Sequence, residues 1–274
     1  MRIFLYIFCS VFCLACDKTA DIQLPKSNPK IALTGFLSPG LPIQITLIKV
    51  QPLFGGSTIN KPLFIGDGIV YISNGNDTSQ LNLSASGEFY EEAIPNIEIL
   101  PGKTYYVWAS AAGLPPVSAS CTVPDSSVRS FSMSHYASKT DSDTTFYISM
   151  VWKDIQGQSN FYRIYSNRQD STASNLTSHS YQYSTSYYND FGRDGEEIQT
   201  SLGQVSGGGS NTRHRYILAG LITCDENYFR YHLGLETLNA GDPFAQPSSL
   251  YSNVQGGVGC FGAYLQYTDI FKVF

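Results

Sequence analysis

Acidic side chains have the reactivity that is easiest to define in this sequence, because two carboxyl groups held about 5 to 9.5 Å apart can hydrolyse a glycosidic bond. The candidates lie in two stretches of the chain: Glu88, Glu91 and Glu92, and then Asp190, Glu196 and Glu197. The sequence does not give the distance between any two of them, and acids in such turns are usually solvated. A glycan-active enzyme is therefore an alternative, and we predict no catalytic residue.

The segment Asp190–Gly195 has the spacing of half a calcium-binding loop. The twelfth position of an EF-hand loop, which needs a bidentate Glu, is Ser201 here, and Gly192 replaces a ligand. An Asp-Gly turn between two strands explains the segment better, while a looser oxygen site stays open. The histidines, which have no metal-binding spacing, are His135, His179, His214 and His232. We predict no metal and no cofactor.

Tyrosine and asparagine are concentrated between Ser166 and Ser210, a stretch that we predict to form hairpins and loops outside the core. Tyr181 and Tyr183 are two residues apart and therefore share one face of a strand. Exposed Tyr rings cover ligand surface at a low entropy cost. The ligand-binding candidates are Tyr181, Tyr183, Asn189 and Asp190. The alternative, given equal weight, is that this face packs on the protein itself.

The N-terminus combines a positive start, an apolar run over Ile3–Leu14 and then Leu14-Ala15-Cys16. A small residue directly before Cys16 is typical of the lipobox, at which a bacterial signal peptidase cuts before a lipid-modified cysteine. Cys13 stands where Leu is usual. We predict a signal peptide over residues 1–15, lipidation of Cys16 and a tether over residues 16–29; an ordinary secretion signal is the alternative. Three acyl chains would hold the protein on a membrane.

Cys121, Cys224 and Cys260 follow in the rest of the chain, which is an odd number for an oxidising compartment. One disulfide, between Cys224 and Cys260, and three buried free thiols are the two alternatives. No C-x-x-C spacing indicates zinc.

Composition excludes several classes of protein. The chain of 274 residues has 14% charged residues, 14% aromatic residues and a formal charge of -5. Such an aromatic-rich sequence is not that of a disordered chain, and the lack of a basic run argues against binding nucleic acid. A serine-hydrolase G-x-S-x-G elbow and a nucleotide-binding P-loop are both missing from the sequence.

Alternating apolar and polar residues, interrupted every 8 to 12 residues by Gly and Pro turns, indicate an all-β fold. We predict an immunoglobulin-like β-sandwich over residues 30–124. A larger β-sandwich or barrel-like domain should follow over residues 125–274, with one α-helix near 224–239. The helix is expected to begin with Thr223 and Glu226 as a capping box and to end at Asn239–Gly241. Its apolar stripe comprises Tyr228, Tyr231, Leu235 and Leu238, with His232 packed or on the surface.

Several motifs occur in the order of one known family. They are the early Pro-Lys-Ile-Ala-Leu-Thr-Gly strand, Pro101–Tyr105, Cys121–Pro124, Asn160–Arg163, Asp190–Ile198, Asp242–Phe244 and Ser252–Gly259. Together with the lipobox they resemble the domain-of-unknown-function 4249 family of outer-membrane lipoproteins over nearly the whole chain. The resemblance implies a lipid-anchored surface protein beside a TonB-dependent β-barrel transporter, and it implies no substrate.

These expectations define a leading hypothesis. The protein is expected at the outer membrane, anchored by acylated Cys16 and exposed at the cell surface. There it would be a non-enzymatic accessory, for ligand binding or docking, to a TonB-dependent nutrient transporter. The rival classes are a glycan-active enzyme that uses paired carboxylates and a structural or adhesive surface module.

Overall fold

The computed structural model describes residues 28–50, 62–92, 96–140, 144–171, 176–206, 214–238 and 250–272. The predicted signal peptide, Cys16 and most of the predicted tether lie outside these ranges. Within them the chain is built from strands and one helix, so the prediction of an all-β fold with one helix is confirmed.

The strands of the first half are β1 (Lys30–Leu37), β2 (Gln44–Val50), β3 (Ile69–Ser73), β4 (Thr78–Leu83), β5 (Tyr90–Glu91), β6 (Thr104–Ser110) and β7 (Val117–Thr122). Those of the second half are β8 (Ser132–Lys139), β9 (Thr144–Lys153), β10 (Phe161–Ser171), β11 (Leu176–Ser180), β12 (Tyr187–Asn189), β13 (Glu197–Gln199), β14 (Gly203–Ser206), β15 (His214–Cys224) and β16 (Val258–Lys272). The helix is α1 (Glu226–Leu238).

One mixed sheet of twelve strands runs through both halves in the order β11-β10-β15-β16-β1-β2-β5-β4-β3-β6-β7, with β12 also paired to β10. Strand β16 joins the halves because it pairs parallel with β1 through Val258–Ala263 and antiparallel with β15 through Tyr264–Lys272. A second sheet consists of β13-β9-β14 with β8 on β9. The described strands do not close into a barrel, so the second half has the sandwich form of the two predicted alternatives.

Alternation along the strands builds a core in each half, and we call the two halves with their cores the first and the second sandwich. In the first, the inward residues of β1 and β2 include Ile31, Leu33 and Ile45, each fully buried. The same cluster contains Phe261 and Ala263 of β16, so residues 30–124 do not enclose this core alone. The second core lies between the two sheets, and its members include Ile148, Met150, Trp152, Tyr162, Ile164, Ile217 and Leu221.

The N-cap of helix α1 lies two residues after the predicted cap at Thr223. The N–H of Tyr228 donates to Oδ1 of Asp225 at 2.8 Å, so Asp225 is the N-cap and the predicted capping box on Thr223 is wrong. Thr223 is still part of β15, and its hydroxyl accepts a hydrogen bond from the N–H of Val128. The buried helix residues are Tyr228 and Phe229, whereas Leu238 at the far end of the predicted stripe is 46% exposed.

The predicted helix end at Asn239–Gly241 lies outside the described residues. None of the helical segments that the structure describes combines the length and apolar character needed to cross a membrane.

Candidate functional site

Tyr181 and Tyr183, the two aromatic ligand-binding candidates, belong to the second core. Tyr181 is 6% exposed, and Tyr183 packs on the same cluster while its hydroxyl forms a hydrogen bond with Ser166. Burial raises the pKa of Tyr183 to about 12. Gly203 permits this packing because a Cβ there would lie 2.5 Å from the Tyr183 ring. The prediction of a binding surface at this pair is therefore wrong, and the alternative of packing on the protein is correct.

The prediction that Ser166–Ser210 forms hairpins is correct for β10 and β11, which pair antiparallel, but the prediction that this stretch lies outside the core is wrong. Strand β10 extends to Ser171. Near its C-terminal end, the side chains of Arg168 and Asp170 point into the interior, where they are 0% and 4% exposed. Ile198 of β13 is also fully buried. Polar composition concealed this core, in which Arg168 pairs with Asp170 and the hydroxyl groups of Ser166 and Tyr183 form a hydrogen bond.

Asn189 and Asp190, the other two binding candidates, organise the turn that follows β12. The carboxylate of Asp190 accepts a hydrogen bond from the N–H of Asn160 at 2.9 Å. The side-chain oxygen of Asn189 accepts one from the N–H of Phe191, and its carbonyl accepts two from the guanidinium of Arg193. Both side chains are used within the turn, which explains their presence without a ligand.

Three aspartates meet beside this turn. Oxygen atoms of Asp154, Asp190 and Asp194 lie within 4.8 Å of one another, a group that could hold a metal ion. Sequence reasoning found Asp190 and Asp194 but missed Asp154, which the β9–β10 turn brings from 36 positions upstream of Asp190. Calcium takes about six to eight oxygen ligands, so the three carboxylates would supply part of a shell.

Hydrogen bonds give each of these aspartates a role in folding. Asp154 accepts from the hydroxyl of Tyr162 at 2.6 Å and from the N–H of Gly195 at 2.8 Å. Asp194 accepts from the N–H of Gly157 at 2.8 Å. The carboxylates thereby join the β9–β10 turn to the Asn189–Gly195 turn, and we assign the cluster to folding.

The remaining glutamates are divided between the two sandwiches. Glu196 and Glu197 lie at the exposed start of β13, and Glu88 is exposed before β5. Glu91 and Glu92 instead line a cleft of about 350 Å³ in the first sandwich, which also includes Glu98, Ile97 and Leu41. The structure therefore does not bring the two predicted acidic stretches together.

All three described cysteines are buried free thiols, which is the second of the two alternatives, and Cys224 and Cys260 form no disulfide. The sheet register explains this: Cys224 lies opposite Tyr264, four residues along β16 from Cys260, which is about 13 Å. A disulfide needs Cα atoms within about 7 Å. Burial raises the pKa of all three thiols, which makes them unreactive.

Asp225 links three elements at a cleft of about 170 Å³ between the halves. Its carboxylate caps α1 and also accepts hydrogen bonds from the N–H groups of Thr122 at the end of β7 and of Ala263 in β16. Burial nevertheless raises the pKa of Asp225 to about 6. Nearby, His232 stacks on Tyr228 with ring centroids 4.0 Å apart, and burial lowers the pKa of His232 to about 4. His232 is thus packed, as predicted.

Exposed aromatic rings occur instead on the outer side of the first sandwich. We call Tyr71, Tyr106 and Trp108 the aromatic face; these side chains are 39%, 40% and 45% exposed. The rings of Tyr106 and Trp108 have centroids 6.2 Å apart and planes inclined by 21°. Tyr71 lies directly opposite Trp108 in the β3–β6 register.

A shallow groove of about 270 Å³ runs beside this face and is lined by Ile69, Tyr71, Trp108, Ser110, Pro116 and Ser118. Sequence reasoning missed the face, although β6 contained the signal. Its inward positions are already filled by Tyr105, Val107 and Ala109, so the rings of Tyr106 and Trp108 must point outward. Aromatic residues in both phases of one strand therefore predict exposed rings on its outer face.

Comparison with known proteins adds one finding. The family model described as Domain of unknown function (DUF4249) matches residues 17–270 of the chain. No curated protein matches it.

Proposed function

The chain belongs to the DUF4249 family, and from that premise we propose that it is a lipid-anchored, non-enzymatic binding accessory to a TonB-dependent transporter of the outer membrane. Acylated Cys16 would hold it at the cell surface. The sandwiches would then present a binding surface at high effective concentration beside the transporter. The observation that carries the proposal is the exposed aromatic face of the first sandwich.

Support for the anchor comes from the N-terminal sequence. Leu14-Ala15-Cys16 follows an apolar run that is shorter than the about 20 residues needed to span a bilayer. One acyl chain binds a membrane only marginally, while each buried CH₂ adds about 0.8 kcal/mol. Three chains on Cys16 would make attachment durable without a membrane-spanning segment.

Support for a binding role comes from where the aromatic residues lie. Tyr106 and Trp108 add nothing to the first core, whose inward positions on β6 belong to Tyr105, Val107 and Ala109. Large exposed rings gathered on one face of a soluble domain are typical of recognition surfaces. A face of this kind suits an accessory that captures or docks and does not itself transform its ligand.

The anchor is tested with the full chain carrying a C-terminal tag. Cys16→Ser should move the protein from the membrane fraction to the soluble fraction. The matched control Cys13→Leu, which restores the usual lipobox residue, should leave it on the membrane. Retention of Cys16→Ser on membranes washed with high salt would contradict the anchor.

The partner is tested by pull-down of the same tagged chain from detergent-solubilised membranes. We expect a large β-barrel protein to co-purify with the wild-type chain and with Cys13→Leu. Purification as a lone monomer from membranes in which the transporter is expressed would refute the accessory role.

The rival proposal, a glycan-active enzyme, has one observation in its favour. Glu91, Glu92 and Glu98 line a concave cleft, and the buried Oε1 atom of Glu92 has no hydrogen-bond partner. An enzyme would release reducing ends from a polysaccharide, and Glu92→Gln would abolish that release. Turnover that depends on Glu92 would replace the binding proposal with this one.

A further inference from the structure

We infer that the aromatic face binds an uncharged carbohydrate chain, with the rings of Tyr106 and Trp108 as stacking platforms. The inference deepens the proposed function, since it rests on the protein being a binding accessory and names the class of its ligand. It does not depend on the lipid anchor or on the identity of the transporter.

Ring geometry is the first reason. Tyr106 and Trp108 are alternate residues of β6, so both rings stand on the same side of the sheet, and their planes differ by only 21°. Tyr71 of β3 extends the surface sideways because it faces Trp108 directly across the strands. The C–H hydrogens on one side of a pyranose ring pack against the face of an aromatic ring of this kind. Ring centroids 6.2 Å apart would let neighbouring sugar units share the platform.

The surroundings of the rings are the second reason. The register continues the Tyr71–Trp108 row to Gln80 of β4 on one side and to Ser118 of β7 on the other, and Ser118 forms a bridge with Gln255. Ser120 lies opposite Tyr106 in the neighbouring row. A sugar that stacks by its C–H side directs its hydroxyl groups outward around the ring edge. Amide and hydroxyl side chains at these positions can both donate to and accept from such hydroxyls.

Charge is the third reason. The outward positions of the four strands contain no acidic or basic side chain, and they are Ile69, Tyr71, Thr78, Gln80, Asn82, Thr104, Tyr106, Trp108, Ser110, Ser118, Ser120 and Thr122. Single-stranded nucleic acid also stacks on aromatic platforms, but it requires basic residues for its phosphates. Anionic polysaccharides such as polyuronates have the same requirement. A neutral glycan is the stacking ligand that this uncharged face suits.

Tryptophan fluorescence gives a direct test, because the sequence has two Trp residues and the other, Trp152, is 2% exposed. The full mature chain in detergent is titrated with dextran, mannan, laminarin and xyloglucan, and with polygalacturonate as the anionic comparison. We expect at least one neutral polysaccharide to change the emission of Trp108 and polygalacturonate to have no effect. A response to none of the neutral polymers, or to polygalacturonate alone, overturns the inference.

Variants then locate the binding by affinity electrophoresis in gels that contain the responding polysaccharide. Trp108→Ala should weaken binding by about tenfold or more, because it removes one stacking platform, and Trp108→Phe should retain part of it. The matched control is Tyr136→Ala, which removes a 52% exposed ring that stacks on Tyr147 in the second sandwich. Equal binding by Trp108→Ala and wild type would place the ligand elsewhere and overturn the inference.

The same variants separate this inference from the proposed function. If Trp108→Ala loses the polysaccharide but still co-purifies with the β-barrel, both stand. If it retains the polysaccharide and loses the β-barrel, the aromatic face is a protein-docking surface: the carbohydrate inference fails while the accessory role survives.

Discussion

Two tyrosine-rich regions of the molecule differ in the exposure of their aromatic side chains. In β6 the aromatic side chains occupy both faces of one strand, and Tyr106 and Trp108 remain exposed. From β11 to the end of β12 the sequence is rich in Tyr and Ser, yet Tyr181 and Tyr187 are buried. Composition alone would have placed the surface in the second region and the core in the first.

The difference lies in what covers each strand. β6 has the first core on one side and, among the described residues, no second layer on the other. The Tyr181–Tyr187 stretch lies against sheets and the helix: Tyr181 faces the second core, and the Tyr187 ring contacts Phe229 of α1. A tyrosine can enter such an interior because its hydroxyl finds a partner there. Exposure of an aromatic ring therefore depends on the neighbouring layer and not on the polarity of its own segment.

The largest loss in the free energy of unfolding is expected for Arg168→Ala, because this charged side chain is fully buried beside the second core. Its guanidinium pairs with Asp170 at 3.1 Å and lies over the ring of Phe146. Removing one partner of a buried ion pair costs about 3–5 kcal/mol in the free energy of unfolding. Urea unfolding measures this loss.

The matched control for Arg168→Ala is Arg230→Ala. Arg230 also pairs with an acid, Glu226, but both side chains are more than half exposed. A loss below about 1 kcal/mol is expected there. Similar losses for the two variants would show that burial of the Arg168 pair does not matter for stability.

A second test compares the loss of one aromatic side chain from each of the two tyrosine-rich regions. Tyr181→Ala should lower the free energy of unfolding by about 3 kcal/mol because it leaves a cavity in the second core. Trp108→Ala should change it by about 0.5 kcal/mol or less, because surface side chains contribute little. Thermal unfolding of the two variants beside wild type reports both values. If Trp108→Ala proved the more destabilising change, the aromatic face would be structural.

The smallest of the three main predicted effects concerns Asp225, in the cleft between the two halves of the molecule. Burial raises the pKa of Asp225 to about 6 in the folded protein, whereas an unfolded Asp titrates near 3.9. Between about pH 4 and pH 6 the folded state therefore binds more protons than the unfolded state, and this group makes stability fall as pH rises. Asp225→Asn removes the titration and keeps a side-chain oxygen for the helix cap.

We expect the stability of wild type relative to Asp225→Asn to be about 2 kcal/mol higher at pH 4 than at pH 7, by urea unfolding at both values. The comparison between the two proteins cancels the other titrating groups, including His232. A difference that is constant with pH would mean that the N–H donors of Thr122, Tyr228 and Ala263 fully offset the burial of the carboxylate.

Much of the local structure was predictable. Alternation and turn residues predicted an all-β fold, and the helix predicted near 224–239 lies at Glu226–Leu238. Long-range features were not. The Asp154–Asp190–Asp194 cluster joins two turns that are remote in sequence, and the N-cap moved from Thr223 to Asp225 because β15 continues through Cys224 to pair with β16.

The sequence by itself determined the β class, the single helix and the family, because alternation, turn residues and motif order are local or linear properties. Only the tertiary structure decided which aromatic side chains are exposed, that the thiols are free, and that β16 completes both halves. Each of these depends on which strands become neighbours. A strand's own residues define its two faces, but another part of the chain determines which face is covered.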